Sequence, residues 1–147
     1  MASTYLSLHF HVVFGTKDRR PLIRPEWRGQ LHEYLGGTIR GLEGFSEGIG
    51  GVEDHVHLLV GLKATHRLAD FMREFKKASS MWATEKYEPE FAWQDGYAAF
   101  TVSASQLETV RRYIANQEEH HRKLGFREEL MRLLEKSGVR FETQYLP

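Results

Sequence analysis

Apolar residues in this chain follow two different spacings, and the order in which those spacings alternate restricts the fold more than any other feature. Residues 4–14 ("TYLSLHFHVVF") alternate and are rich in β-formers, as a strand requires. Residues 25–42 open with Pro25 and place Trp27, Leu31, Tyr34, Leu35 and Ile39 at helical intervals. The glycine-rich stretch 44–52 reads as a short strand and turn, and 44–51 should form a hairpin with the strongly strand-like "HVHLLVGL" at 55–62. Residues 65–87 begin with Thr65 as a cap and carry Leu68, Phe71, Met72, Phe75 and Trp82 along one helical face. A further strand over 96–105 leads to a helix over 106–125, closed by Gly125, and another over 126–138, closed by Gly138.

Strand, helix, two strands, helix and strand is the split βαβ, or ferredoxin-like, order. It predicts an α+β fold: a βαββαβ antiparallel sheet with helices on one face, plus C-terminal helices. The chain has 147 residues, which suits a single domain over 1–147. The open sheet face then requires a ligand, a nucleic acid or a second subunit. The absence of cysteine excludes disulfides and thiolate metal sites. The N-terminus does not resemble a signal peptide, and no apolar run approaches the ~18 residues of a membrane span. A soluble, cytoplasmic protein with no membrane partner is therefore expected. Charge is balanced, with 20 basic and 20 acidic residues, so no global basic field draws in a nucleic acid. Local runs at 16–28 and 63–77 are more basic and form either patches on one face or ordinary solvated surface.

His55 and His57 share one face of their strand, about 6.5–7 Å apart, where two imidazoles can converge on a cation. Two hydrogen-bonded histidines on a half-polar face would satisfy the same pattern. On the helix over 106–125, Leu107, Val110 and Ile114 form the core stripe, and Tyr113, Gln117 and His120 an adjacent one. That places a phenol beside an amide oxygen, either as nucleophile next to metal ligand or as boundary aromatic next to surface residue.

Together these segments resemble a known family. "EDHVHLLV" matches the histidine–hydrophobe–histidine (HUH) motif, and "VRRYIANQEEHH" matches the tyrosine helix of the smallest HUH transposases, the single-tyrosine enzymes of the insertion-sequence-two-hundred class. "HFHVVFGTKDRRPLI", "FMREFKKASSMWA" and "FAWQDGYAAFTVS" resemble their first strand and basic turn, second helix and last strand, so the likeness runs nearly end to end. The resemblance implies the HUH endonuclease fold and a DNA transposase, related to the REP-associated tyrosine transposases. Such an enzyme nicks and rejoins single-stranded DNA beside hairpins through a 5′-phosphotyrosine, using a divalent metal and no nucleotide cofactor. By that resemblance Tyr113 is the nucleophile, and His55, His57 and Gln117 hold Mg²⁺ or Mn²⁺. Asp54 or Glu53 would support the histidines or take the place of Gln117. The family's homodimers place the tyrosine helix against the partner's metal site; "SASQ" at 103–106 suits such a hinge, with cis or trans packing left open.

Lys17, Arg19, Arg20, Arg73, Lys76 and Lys77 are the candidate phosphate contacts, with Ser79 and Ser80 adding hydrogen bonds. Trp93, Tyr97 and Phe100 are candidates for base stacking or for the core. His9 and His11 repeat the HxH spacing, as a second metal pair or as polar sheet positions. His120 is placed for proton transfer or phosphate contact, and His66 for the first turn of its helix. A domesticated repeat-processing relative, a non-catalytic ferredoxin-like nucleic-acid-binding domain and a water-using metal hydrolase are the alternative readings.

Overall fold

The computed structural model describes residues 3–147. Strands β1 (His9–Gly15), β2 (Phe45–Gly51), β3 (His55–Gly61) and β4 (Ala98–Val102) form one antiparallel sheet in the order β2-β3-β1-β4. Helix α1 (Pro25–Gly41) links β1 to β2, and α2 (Leu68–Lys86) links β3 to β4. Helices α3 (Leu107–Ala115), α4 (Gln117–His120) and α5 (Phe126–Lys136) follow β4. This is the ferredoxin-like arrangement that the alternation of spacings predicts.

The central strand β3 is buried along its whole length, which is why "HVHLLVG" is almost continuously apolar rather than alternating. Register pairs Val12 with Leu58 and Phe14 with Val56 on one face. Leu31, Leu35 and Ile39 of α1 cover that face with Phe71, Met72 and Phe75 of α2. Each such side chain contributes roughly 1.5–3 kcal/mol by leaving water.

Helices cover both faces of the sheet, not one. On the second face, α3 lies over β2 and β3, its Ile114 buried and the guanidinium of Arg111 donating to the carbonyl of Glu47 at 2.8 Å. Helix α5 packs Phe126, Leu130 and Leu134 against Val13, Ala98 and Phe100. The face expected to wait for a ligand or subunit is closed by the chain's own C-terminal helices, whose apolar stripes need a surface to bury.

Several boundaries move. The first strand starts at His9, and the fourth is confined to Ala98–Val102. Helix α2 starts at Leu68 with no side-chain cap, so Thr65 does not cap it. His66 precedes the helix: its Nδ1 accepts from the Lys63 N–H and its Nε2 donates to the Leu42 carbonyl, each at 2.8 Å. The helix expected over 106–125 breaks at Asn116 into α3 and α4, and the chain has left it by His121. The glycines at 48, 50 and 51 are strand residues, not turn residues. A Cβ on Gly50 would overlap the carbonyl oxygen of Ile114, so its bare backbone sets how closely α3 approaches the sheet.

Candidate active site

The two-residue period of β3 turns His55 and His57 to the second face while Val56 enters the α1–α2 core. Both imidazoles are fully buried beneath the C-terminal helices. The ring of Phe126 stacks on His55, with centroids 4.1 Å apart and planes 8° from parallel. Gly15, opposite His55 in the register, leaves room for that ring; a Cβ there would lie 2.7 Å from it.

A carboxylate that the residue spacing did not single out sits at the centre. Oε1 of Glu129, on α5, lies 2.9 Å from Nε2 of His57, 3.2 Å from Nε2 of His55 and 3.0 Å from Nε2 of His121. The side-chain oxygen of Gln117 is 3.2 Å from Nε2 of His55 and 3.1 Å from Nε2 of His121. The Tyr113 hydroxyl donates to the other oxygen of Glu129, and its ring lies 5.7 Å from that of His57. Tyr113, His55, His57 and Gln117 therefore meet around Glu129. Glu129 had one legible signal: an acid among Phe126, Leu130 and Leu134 on the buried stripe of α5 is costly unless it is partnered. His121 had none, because its direction depends on where the chain leaves α4.

Outer contacts orient both rings. Nδ1 of His55 is 2.7 Å from Oδ1 of Asp54, the support expected of that residue, and Nδ1 of His57 is 2.8 Å from Nε2 of His11. His11 is thus a buried prop for His57, and His9 pairs instead with Glu47. Burial works against charge on His55, but Asp54 and Glu129 outweigh it and raise its pKa to about 9. Burial, together with the charges of His55 and His121, lowers His57 in spite of Glu129. Burial and His57 push His11 down to about 3. Burial also opposes the charge of Glu129, yet hydrogen bonds from His121, His55 and His57 hold its carboxyl well below the usual range. Burial, with the neighbouring Glu129 anion, raises Tyr113 well above a normal phenol.

These donors fit a divalent cation. Atoms of His55, His57, His121 and Glu129 all lie within 4.8 Å of one another. The N···O separations of 2.9–3.2 Å match adjacent donors around an ion with bonds of about 2.1 Å, which are about 3.0 Å apart in octahedral geometry. At these separations an Nε2–H of His55 or His57 donates to the Glu129 carboxylate, and a bound cation would displace those protons.

Beside Gln117, a cleft of about 540 Å³ is lined by Arg28, His32, Asn116 and Arg122; Nε of Arg28 and Nε2 of His32 are buried without a hydrogen-bond partner among the described residues. Lys17, Arg19 and Arg20 are exposed in the turn after β1, tied to the His55 end by the Thr16 N–H bonding the Asp54 carbonyl at 2.8 Å. Arg20 pairs with Glu90 at 3.1 Å. Arg73 and Lys77 are exposed on α2, across the sheet, where Arg73 pairs with Asp70. Lys76 donates to the carbonyls of Gln94 and Gly96 at 2.5 and 2.8 Å. Ser79 and Trp93 are buried and bonded to each other, which removes both from a DNA surface, and Phe100 packs beneath α5. Tyr97 packs at the edge of the α1–α2 core, and the ring of His120 stacks on that of Tyr113 at 4.6 Å.

A family model described as an IS200-like transposase matches residues 4–117. The fold is similar to a crystal structure from Deinococcus radiodurans R1 described as a candidate transposase, with a TM-score of 0.64 and 24% identity over 80% of this chain and 96% of that one. It is also similar to a REP-associated tyrosine transposase bound to a REP hairpin, with a TM-score of 0.56 and 13% identity over 78% of this chain and 70% of that one. At these identities the two structures speak for the fold alone. No curated protein matches the sequence significantly.

Proposed function

This chain belongs to the IS200-like transposase family, and from that premise we propose that it nicks and rejoins single-stranded DNA at hairpin-flanked ends through a 5′-phosphotyrosine on Tyr113. Family membership makes it a DNA-processing enzyme. The observation that carries the finer reading is the meeting of the Tyr113 hydroxyl and the imidazoles of His55 and His57 on one carboxylate.

Held by His55, His57 and Gln117, a divalent ion such as Mg²⁺ or Mn²⁺ would supply Lewis-acid polarisation of the scissile phosphate. The chain's own residues do the rest. Tyr113 attacks phosphorus through its phenolic oxygen and frees a 3′-hydroxyl; one phosphoester replaces another, so rejoining needs no nucleotide cofactor. Burial and Glu129 keep the resting phenol protonated, so the nucleophile forms only after the bond to Glu129 is released. The cleft beside Gln117 offers the DNA a way in, with Arg28 and Arg122 on its wall. Lys17, Arg19 and Arg20 lie at the same end of the sheet and serve as phosphate contacts. Arg73 and Lys77 extend the track around α2, and Lys76 joins it by releasing Gln94 and Gly96. The substrate proposed is a hairpin-bearing single strand, of the kind that the REP-associated transposase of the same fold holds. A homodimer would bring two such sites to the two DNA ends that are joined.

The test is incubation with hairpin-bearing single-stranded DNA and Mn²⁺, followed by a denaturing gel. The expected product is a shifted, protease-sensitive DNA band that Tyr113→Phe abolishes. Cleavage without an adduct would assign the attack to water, and binding without cleavage would reduce the protein to a nucleic-acid-binding domain.

A further inference from the structure

On the reading that this site holds a divalent ion, we propose that His121 and Glu129 are ligands of that ion beside His55 and His57. Added to the Gln117 oxygen, they bring the site to three imidazoles and one carboxylate, a donor set that selects a transition-metal dication over Mg²⁺. Both residues lie beyond the segment matched by the family model, which ends at residue 117.

Geometry is the first argument. Three Nε2 atoms from two different parts of the chain point at the same oxygen of Glu129, while its second oxygen is engaged by Tyr113. If the carboxylate only accepted hydrogen bonds, nothing would require three imidazoles to crowd one oxygen. Converging donors around a cation do require it.

The supporting contacts are those of a metal site. Ligating histidines characteristically hand their other ring nitrogen to a carboxylate or similar acceptor, and His55 does so to Asp54. Nδ1 of His57 is in turn paired with Nε2 of His11 at 2.8 Å, and the two rings stack with centroids 5.1 Å apart.

Helix α5 is anchored so that Glu129 stays in place. Phe126 is wedged between Gly15 and His55, and Leu130 and Leu134 are buried beside Val13. Arg127 ties the helix to the tail through the carbonyls of Thr143, at 2.5 Å, and Leu146, at 3.4 Å. An acid at this buried position is expensive for a helix that could dock with any apolar residue there.

The donor set decides the metal. Imidazole nitrogens suit borderline ions such as Zn²⁺, Ni²⁺ and Fe²⁺, whereas Mg²⁺ prefers an all-oxygen shell and gives up water reluctantly. Two histidines and an amide leave that choice open. Three histidines and one carboxylate move it toward the transition metals, with Mn²⁺ the hardest ion the site would still hold well.

The experiment uses the full chain labelled with ¹⁵N-histidine and titrated with Zn²⁺. Three Nε2 resonances, those of His55, His57 and His121, are expected to move to the metal-bound range together. Two resonances, without His121, would overturn the proposal and leave the proposed function standing; none would sink the metal chemistry of both. Competition titrations provide the second readout. Glu129→Gln should weaken Zn²⁺ binding at least about tenfold, with a melting curve confirming that the variant is folded. Unchanged or tighter binding would mean that Glu129 merely accepts hydrogen bonds, and equal affinity for Mg²⁺ and Zn²⁺ would refute the selectivity.

Discussion

Replacing Gly50 with alanine adds one methyl group at the place where α3 rests on the sheet. Gly50 pairs with His57 in the register, and its missing Cβ is where the Ile114 carbonyl oxygen lies. The added Cβ would lie 2.1 Å from that oxygen where an ordinary C···O contact is about 3.3–3.6 Å, so α3 must retreat by about 1.2–1.5 Å. Overpacking of this kind costs about 1–3 kcal/mol, which for a chain of this size lowers Tm by roughly 2–12 °C. The larger effect falls on the chemistry. Tyr113 is the residue before Ile114 and travels with it, and a displacement of about 1 Å at a reacting group costs on the order of 100-fold in rate. Gly48→Ala is the control. It lies on the same strand and face, yet its Cβ would meet Leu59 Cβ at 3.5 Å, Arg111 Cγ at 3.6 Å and Arg111 Cα at 4.0 Å, ordinary contacts. Melting curves and the rate of covalent adduct formation on hairpin-bearing single-stranded DNA should separate the two variants. If Gly50→Ala melts and reacts like the parent, or if Gly48→Ala is equally damaged, close approach at Gly50 does not position the tyrosine.

The raised pKa of His55 makes the metal-free protein sensitive to base. The group's stabilisation is complete below its unfolded pKa of 6.5 and is lost as pH rises toward about 9, on the order of 3 kcal/mol. Melting in EDTA should therefore fall across that window, and a flat profile would contradict the pairing with Asp54 and Glu129. Asp54→Asn keeps an oxygen near Nδ1 of His55 but removes the charge, and should weaken divalent-cation binding about 10–100-fold by calorimetric titration; an unchanged affinity would deny Asp54 its supporting role. Gly29 is exposed within α1 with nothing within 4 Å of its would-be Cβ, so Gly29→Ala should stabilise by about 0.4–1 kcal/mol in denaturant melts. A loss of stability there would mean that the helix is strained at that turn.

The histidine pair was legible because strand periodicity alone places His55 and His57 on one face. Tyr113 and Gln117 were legible because residues four apart on a helix point nearly the same way. Glu129 was legible only as an acid on the apolar stripe of α5; its partner was not, since His57 is 72 residues away and nothing local records that contact. Ser79 shows the reverse error. Its place in a basic, serine-containing run suggested a DNA contact, but α2 turns it inward, where its hydroxyl bonds Phe75 and Trp93. Helical phase within a segment was clear, whereas the rotation of that segment about its axis relative to the sheet was not.

From the order of residues alone came the succession of strands and helices, the ferredoxin-like order and the faces on which the histidines and the tyrosine lie. Each of these follows from interactions within about one turn or one strand repeat, where backbone geometry leaves few choices. Only the folded chain decided that α3, α4 and α5 close over the second face of the sheet, that the tyrosine reaches the histidine pair, and that Glu129 enters between them. Those outcomes depend on which apolar stripe finds which surface and how closely a glycine lets it approach, and packing between distant segments is set by shapes that exist only once both have formed.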